Sequence, residues 1–503
     1  MVSNPQLQQS DMSRVWLTQF GAAPNRIPEY EGLARIDSMN VPGGDLTPIY
    51  VPDPDRYGRF IIAGTVKGEQ GLPNASLQWR LEIDKRSAYE KYFRNRCAHD
   101  LQIHFGLCQD PQDFNGGWES VIILEEAIPT NWDLNAIGAL QPDQRAMAEE
   151  DMPFTGQRVY FIRPLVFQEQ AAAEVVQEIV GIIICDAATC GACGVPSEGC
   201  DIVFAITLSN AGSPGLSAEL VFTENGGTTW LDTLITTLAA NEDPNDLACI
   251  GANVVVISED SDSLHYAPIA DILNGSEVWT EMNTGFVATN GPLAIWSESA
   301  RHTWIVAENG YIYFTADPTQ SVIVQSPGDV TTNDLNDVHA FSIEDVVAVG
   351  DSNTVMLTRD GGDTWVSITG PAPAVNLNTV WMQGVNEWLI GTAGGQLFFT
   401  LDAGVNWTEK VFPGSGAGVV RDIQFSSKSV GYMSHDTAVP AGRILRTIDG
   451  GNSWFITPQA LNISMPANDR LNAIAACMDD QNIVYAGGLG DNAIDGIIVK
   501  GAG

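Results

Sequence analysis

Four cysteines fall within sixteen residues, at Cys185, Cys190, Cys193 and Cys200. Thiolates at such spacings can converge on a tetrahedral Zn²⁺ as a Cys₄ site, pair as two disulfides in any of three connectivities, or stay free. Only one C-x-x-C is present, Cys190–Cys193, which weakens the zinc reading, so two disulfides within the cluster are the expectation. Cys97, Cys108, Cys249 and Cys477 are dispersed and read as small buried apolar residues. Carboxylates gather at Asp260/Asp262 and at Glu149, Glu150 and Asp151, which could hold Ca²⁺. In a chain with 62 Asp+Glu, solvated turns or strand faces explain them better. The six histidines (His99, His104, His265, His302, His339, His435) show no metal spacing. No Gly-x-Ser-x-Gly, P-loop or dinucleotide fingerprint is visible. These side chains predict no catalytic centre.

A second set of residues acts on the backbone. Thr358, Asp360, Gly362 and Trp365 stand in the frame T-x-D-x-G-x-T-W, straight after an apolar run. The frame returns as Thr223, Asn225, Gly227 and Trp230, as Thr400, Asp402, Gly404 and Trp407, and as Thr447, Asp449, Gly451 and Trp454. The Asp or Asn side chain can bond backbone N–H groups to fold a tight turn. Gly allows positive φ, and Trp begins the next strand with a large area to bury. These tryptophans read as blade core.

The complete frames begin at 223, 358, 400 and 447, so neighbours lie 42 and 47 residues apart, a propeller-blade period. Two eroded copies fill the gap after the first, Val254–Ser258 leading into Glu259–Asp262, and Tyr311–Thr315 leading into Ala316–Gln320. Blades also begin alike, with Leu335-Asn-Asp-Val, Leu377-Asn-Thr-Val and Leu471-Asn-Ala-Ile. The count is seven. The last unit lacks a fourth strand, and an open propeller would leave an unpaired edge. Ile179–Cys185 is expected to supply that outer strand.

The frame is the Asp-box, and the array resembles the repeats of sialidases, sortilins and propeller-type photosystem II assembly factors. In those families the box is a structural hairpin remote from the active centre. The sialidase resemblance would further imply three arginines gripping a carboxylate, because Lys cannot give the bidentate geometry. The only Arg-Ile-Pro, Arg26–Pro28, lies outside the array, and the first half of the array offers Arg301 alone. Sialidase activity is therefore not expected.

Ahead of the array, residues 1–45 read as an arm or loop with at most a short helix near Met12–Phe20. Residues 46–170 read as one α+β unit with strands at Phe60–Val66, Ser76–Glu82, Asp100–Leu107 and Trp118–Ile128. Ser87–Arg96 reads as a helix, and Ala146–Phe154 is expected to pair with Arg158–Val166. Residues 171–200 form a linker with the closing strand and the cysteine cluster, and 201–503 the propeller. The order of strands, one helix and strands is similar to tail-tube proteins of long-tailed phages. Phe60–Gly68, Asp100–Phe105 with Val121–Ile128, and Ala148–Phe154 leading into Tyr160–Pro164 carry that resemblance. In that family a β-sandwich forms rings, usually six-fold, that stack into a tube.

The net charge of −38 argues against binding nucleic acid through its phosphates. Acidic residues outnumber basic ones 24 to 15 in residues 1–175 and 38 to 9 in 176–503, so the propeller is the more acidic part. The N-terminus has no basic region followed by an apolar one, and no run approaches the roughly 18 apolar residues of a membrane helix. Folding in a cytoplasm is expected.

The sequence thus predicts a mainly β, non-enzymatic virion protein without cofactor. A tail-tube-like β-sandwich would form homohexameric rings, meet other virion proteins, and carry a seven-bladed propeller outside as a decoration or glycan adhesin. The alternatives are an assembly chaperone resembling the photosystem II factors, although those use a basic patch, and a degenerate sialidase-like glycan-binding protein.

Overall fold

The computed structural model describes residues 13–19, 30–40, 48–52, 60–65, 74–80, 99–106, 118–129, 149–156, 158–163, 165–170, 177–185, 200–208, 217–239, 242–436, 442–457, 470–478, 480–490 and 496–502. The backbone divides into two units at Pro164/Leu165.

In the first unit, seven strands form one sheet in the order His99–Gly106, Ser13–Gln19, Tyr30–Asn40, Asn74–Arg80, Glu149–Thr155, Trp118–Pro129 and Arg158–Ile162. His99–Gly106 also pairs with Trp118–Pro129, so hydrogen bonding runs around a closed circuit. Two stretches expected in an arm, Ser13–Gln19 and Tyr30–Asn40, are therefore sheet strands, and the helix expected near Met12–Phe20 is not formed. The helix read at Ser87–Arg96 lies outside the described residues. Glu149–Thr155 does not pair with Arg158–Ile162 as expected. The first pairs with Asn74–Arg80 and the second with Val121–Glu125. Gly156 sits so close to Leu124 that a Cβ there would lie 2.4 Å from the leucine side chain.

The second unit is a β-propeller of seven four-stranded antiparallel blades. Inner strands are largely covered on both faces, and in Val346–Gly350 every residue is apolar and buried. Outer strands face solvent, as in Leu231–Leu234 and Val366–Thr369, whose residues are mostly exposed. The cores lie between blades. Phe204, Leu220 and Phe222 of blade 1, for example, pack with Leu247, Val254 and Val256 of blade 2.

Closure differs from expectation. Ile179–Ile184 is the innermost strand of blade 1, paired with Val203–Thr207. The outer strand of blade 7 is Val166–Glu169, which pairs with Gly496–Ala502. The physical reason is polarity. Ile179–Ile184 is apolar on both faces and needs cover on both, whereas the outer segment buries Phe167 and exposes Gln168 and Glu169.

The cysteines also pair differently. Cys185 is bonded to Cys249 and Cys200 to Cys477, with Cα–Cα distances of 6.1 and 5.8 Å. Cys185 follows the innermost strand and packs with blade 2, whereas Cys200 precedes the second strand and packs with blade 7. One bond reaches blade 2 and the other blade 7. A Cys₄ site from the four clustered residues is thereby excluded, and Cys249 and Cys477 are disulfide partners. Cys190 and Cys193 lie outside the described residues.

Candidate functional site

The four complete boxes are turns between the third and outer strands of blades 1, 4, 5 and 6. Each is a closed hydrogen-bond ring. In blade 4 the Thr358 hydroxyl donates to Asp360 (2.7 Å) and accepts from the Gly362 N–H (2.9 Å), and Asp360 accepts the Thr364 N–H (2.9 Å). Thr223/Asn225, Thr400/Asp402 and Thr447/Asp449 repeat the scheme. Gly227, Gly362, Gly404 and Gly451 all have positive φ, between 80° and 96°.

The box also touches the preceding blade. A Cβ on Gly227 would meet Gln170 of blade 7, one on Gly362 would meet Gln325 of blade 3, and one on Gly404 would meet Ile368 of blade 4. Gly451 stands in the same way against Leu389 of blade 5. The Trp407 indole donates to the Thr369 carbonyl (3.0 Å), and Trp230 makes an edge contact with Tyr485. Trp365 and Trp454 are buried. Blade 3 keeps half of the turn, with Asp317 accepting from Thr319 (2.9 Å). In blade 2 the Glu259–Asp262 turn joins the second and third strands instead of being an eroded box, and the helix Ile269–Leu273 leads to the outer strand.

The site that sequence reasoning missed is on the propeller axis. In six innermost strands the pairing skips one residue, a bulge that re-aims the next side chain. The residues after the skip are Gly181, Ala294, Asp337, Thr379, Asp422 and Ala473, and Asp246 opens the corresponding strand of blade 2. Carboxylates thus stand in blades 2, 4 and 6, with small side chains between. Each reaches across to the next blade. Asp246 accepts the Ile295 N–H (3.0 Å), Asp337 the Val380 N–H (2.7 Å) and Asp422 the Ile474 N–H (2.8 Å). Small neighbours leave room for that reach.

A second staple comes from the skipped residue. Asn336 donates to the Leu377 carbonyl (3.0 Å), Asn378 to Val420 (3.0 Å) and Asn472 to Ile179 (2.8 Å), each on the next blade. Two residues after the Asp position, His339 accepts the Met382 N–H and Gln424 the Ala476 N–H, both at 3.3 Å. The His339 ring lies between Trp296 and Trp381, with centroids 4.1 Å from each.

These side chains line an axial cavity of about 320 Å³. Burial pushes Asp246 up to about 7 and Asp422 to about 6, against backbone hydrogen bonds that pull both down. Burial, reinforced by the charge of Asp422, holds Asp337 well above the usual carboxylate range. Among the described residues Arg421 is the one Lys or Arg on the wall, and it is paired with Asp436. None of the sixteen box residues lines the cavity, and no group of three or more metal-ligating side chains converges among the described residues. Asp260 and Asp262 are turn acceptors, for the N–H groups of Asp243 (2.9 Å) and Thr289 (3.1 Å), and Glu149–Asp151 lie in a strand. Off the axis, burial pushes His265 down to about 4, and its ring is bridged by Thr237 (2.8 Å) and Ser263 (3.1 Å). The chemistry on the axis is stapling. One sequence signal could have revealed it, the repeated Asn245-Asp-Leu, Asn336-Asp-Val and Arg421-Asp-Ile at blade starts.

No protein-family model matches the chain, and no curated protein matches it in sequence. Among solved structures it is similar to virginiamycin B lyase from Staphylococcus aureus, at 12% identity and a TM-score of 0.50, over 67% of this chain and 99% of that one. It is also similar to YCF48 from Cyanidioschyzon merolae, at 14% identity and a TM-score of 0.49, over 67% and 98%. YCF48 bound to a D1 peptide gives 13% and 0.49, over 68% and 96%. At these identities the likeness is one of propeller fold.

Proposed function

We propose that this is a non-enzymatic structural protein of a virus particle, whose N-terminal unit is tail-tube-like, with its main sheet closed on itself, and assembles into six-fold rings, and whose propeller is displayed as a separate module. The observation that carries the reading is the hydrogen-bonded circuit of the N-terminal unit. His99–Gly106 pairs on one side with Ser13–Gln19 and on the other with Trp118–Pro129, which suits a rigid, self-contained ring subunit. The propeller's own construction is consistent with a display role. Its axial carboxylates Asp246, Asp337 and Asp422 are engaged in holding blades together, and 38 acidic against 9 basic residues from 176 onwards give it an acidic, soluble exterior.

Negative-stain microscopy with mass photometry on the purified full chain tests the proposal. Rings of six copies, or tubes built from them, are the expected result. A persistent monomer across the accessible concentration range overturns it.

A further inference from the structure

The seams between blades are not equivalent. Seam 2–3 has the Asp246 staple, seam 6–7 those of Asp422 and Gln424, and seam 4–5 those of Asp337, Asn336 and His339. At seam 3–4 the box of blade 4 wedges in, and Gln325 donates to the Gly361 carbonyl (2.8 Å). Asn378 and the box of blade 6 hold seam 5–6, and Asn472 and the box of blade 1 hold seam 7–1.

Among the described residues, seam 1–2 has neither an axial staple nor a box wedge. Gly181 and Val180 occupy the two stapling positions of blade 1, and Leu247 packs where an Asp at 181 would project, with a Cβ there 2.6 Å from its methyl group. Blade 2 has no box hairpin to wedge against blade 1. Among the described residues the seam is held by a shared apolar cluster, by the contacts Thr233–Glu277 and Thr237–His265 nearer the rim, and by the Cys185–Cys249 bond.

We propose that Cys185–Cys249 is a redox-controlled lock on this seam: with the bond formed the ring of blades is shut, and with two thiols the propeller opens between blades 1 and 2 while blade 1 stays fastened to blade 7. Blade 1 stays because Glu178, just ahead of its first strand, is paired with Arg470 (2.5 Å) and Asn472 (2.7 Å) of blade 7. Locking is a two-electron oxidation. The two protein thiols exchange with a small-molecule disulfide, giving one protein disulfide and two small thiols, so sulfur, hydrogen and electrons balance. Cys185 and Cys249 are buried, which keeps reductants from the bond while the seam is shut. The device therefore closes in oxidising surroundings and reopens slowly. It does not depend on how the N-terminal unit assembles.

Hydrogen-exchange mass spectrometry on the full chain tests this, comparing wild type with Cys249→Ala and Cys477→Ala. In Cys249→Ala, exchange in Ile179–Ile184 and Asp246–Ile250 should quicken by about tenfold or more, with Leu377–Gly384 and Val419–Phe425 unchanged. In Cys477→Ala, the Asp246–Ile250 strand should stay protected. Cys185→Ala breaks the same bond from blade 1 and reads the same seam without a substitution at Cys249. Unchanged exchange at seam 1–2, earlier opening at seam 7–1, or uniform loss of protection in all blades overturns the proposal.

Discussion

The guanidinium of Arg470 donates from Nε and Nη2 to the two carboxylate oxygens of Glu178, each at 2.6 Å. This bidentate pair joins residues 292 apart and anchors the two ends of the propeller to each other. Arg470→Ala should lower stability by about 1–2 kcal/mol, since the pair is well formed but its arginine is part-exposed. Arg470→Lys should recover little of it, because an ammonium cannot fork. A double-mutant cycle with Glu178→Gln, read by urea unfolding, measures the coupling; a coupling near zero would remove the pair from the account of closure.

Glycines with positive φ should split by surroundings. Gly362 has φ +96° and a Cβ would lie 1.8 Å from the Gln325 side chain, while Gly416 has φ +78° and open space around it. Gly416→Ala should therefore cost about 1 kcal/mol from backbone strain alone, and Gly362→Ala about 2–3 kcal/mol. Denaturant midpoints for the two variants check the ordering.

Stability should fall as pH rises from about 4 to about 7. The axial carboxyls are raised in the fold, Asp246 to about 7 and Asp422 to about 6, from an ordinary value of 3.8. The folded state then holds protons that the unfolded chain has released, so their contribution is full below the unfolded value and is lost as pH rises through the folded ones. Replacing Asp246, Asp337 and Asp422 together by Asn should flatten the slope in urea-unfolding series across that window. An unchanged slope would mean that the net charge of −38, and not the axis, sets the pH response.

Breaking the other disulfide should be costly, and first at the seam between blades 7 and 1 that it spans. Cys200→Ser frees a loop of 277 residues, and a loss of about 2–5 kcal/mol is expected. Thermal unfolding under non-reducing conditions compares it with wild type.

The propeller was legible because its repeats act locally. Thr358, Asp360 and Gly362 close their own turn, so the sequence frame is the structure, and spacing gave the blade count. Closure was not legible, because Val166–Glu169 is only four residues long and nothing local says which edge it meets. The cysteine partners were hidden for a related reason. Cys185 and Cys249 lie 64 residues apart, and only the ring of blades brings them together. The axial carboxylates were printed in the sequence, but Asp337 read as part of a strand start until its reach to Val380 was seen. Reading a helix at Met12–Phe20 failed because Trp16 and Leu17 suit a strand equally well, and the partner strands are distant in sequence.

The Cys200–Cys477 bond changes what a cut in the chain means. It turns residues 200–477 into a covalent loop, with the N-terminal unit and the last strands as its two tails. A protease that nicks any one bond inside that loop leaves both products attached through sulfur. Such a molecule would run as one band on a non-reducing gel and as two after reduction. Surface damage within the loop is thereby uncoupled from loss of material.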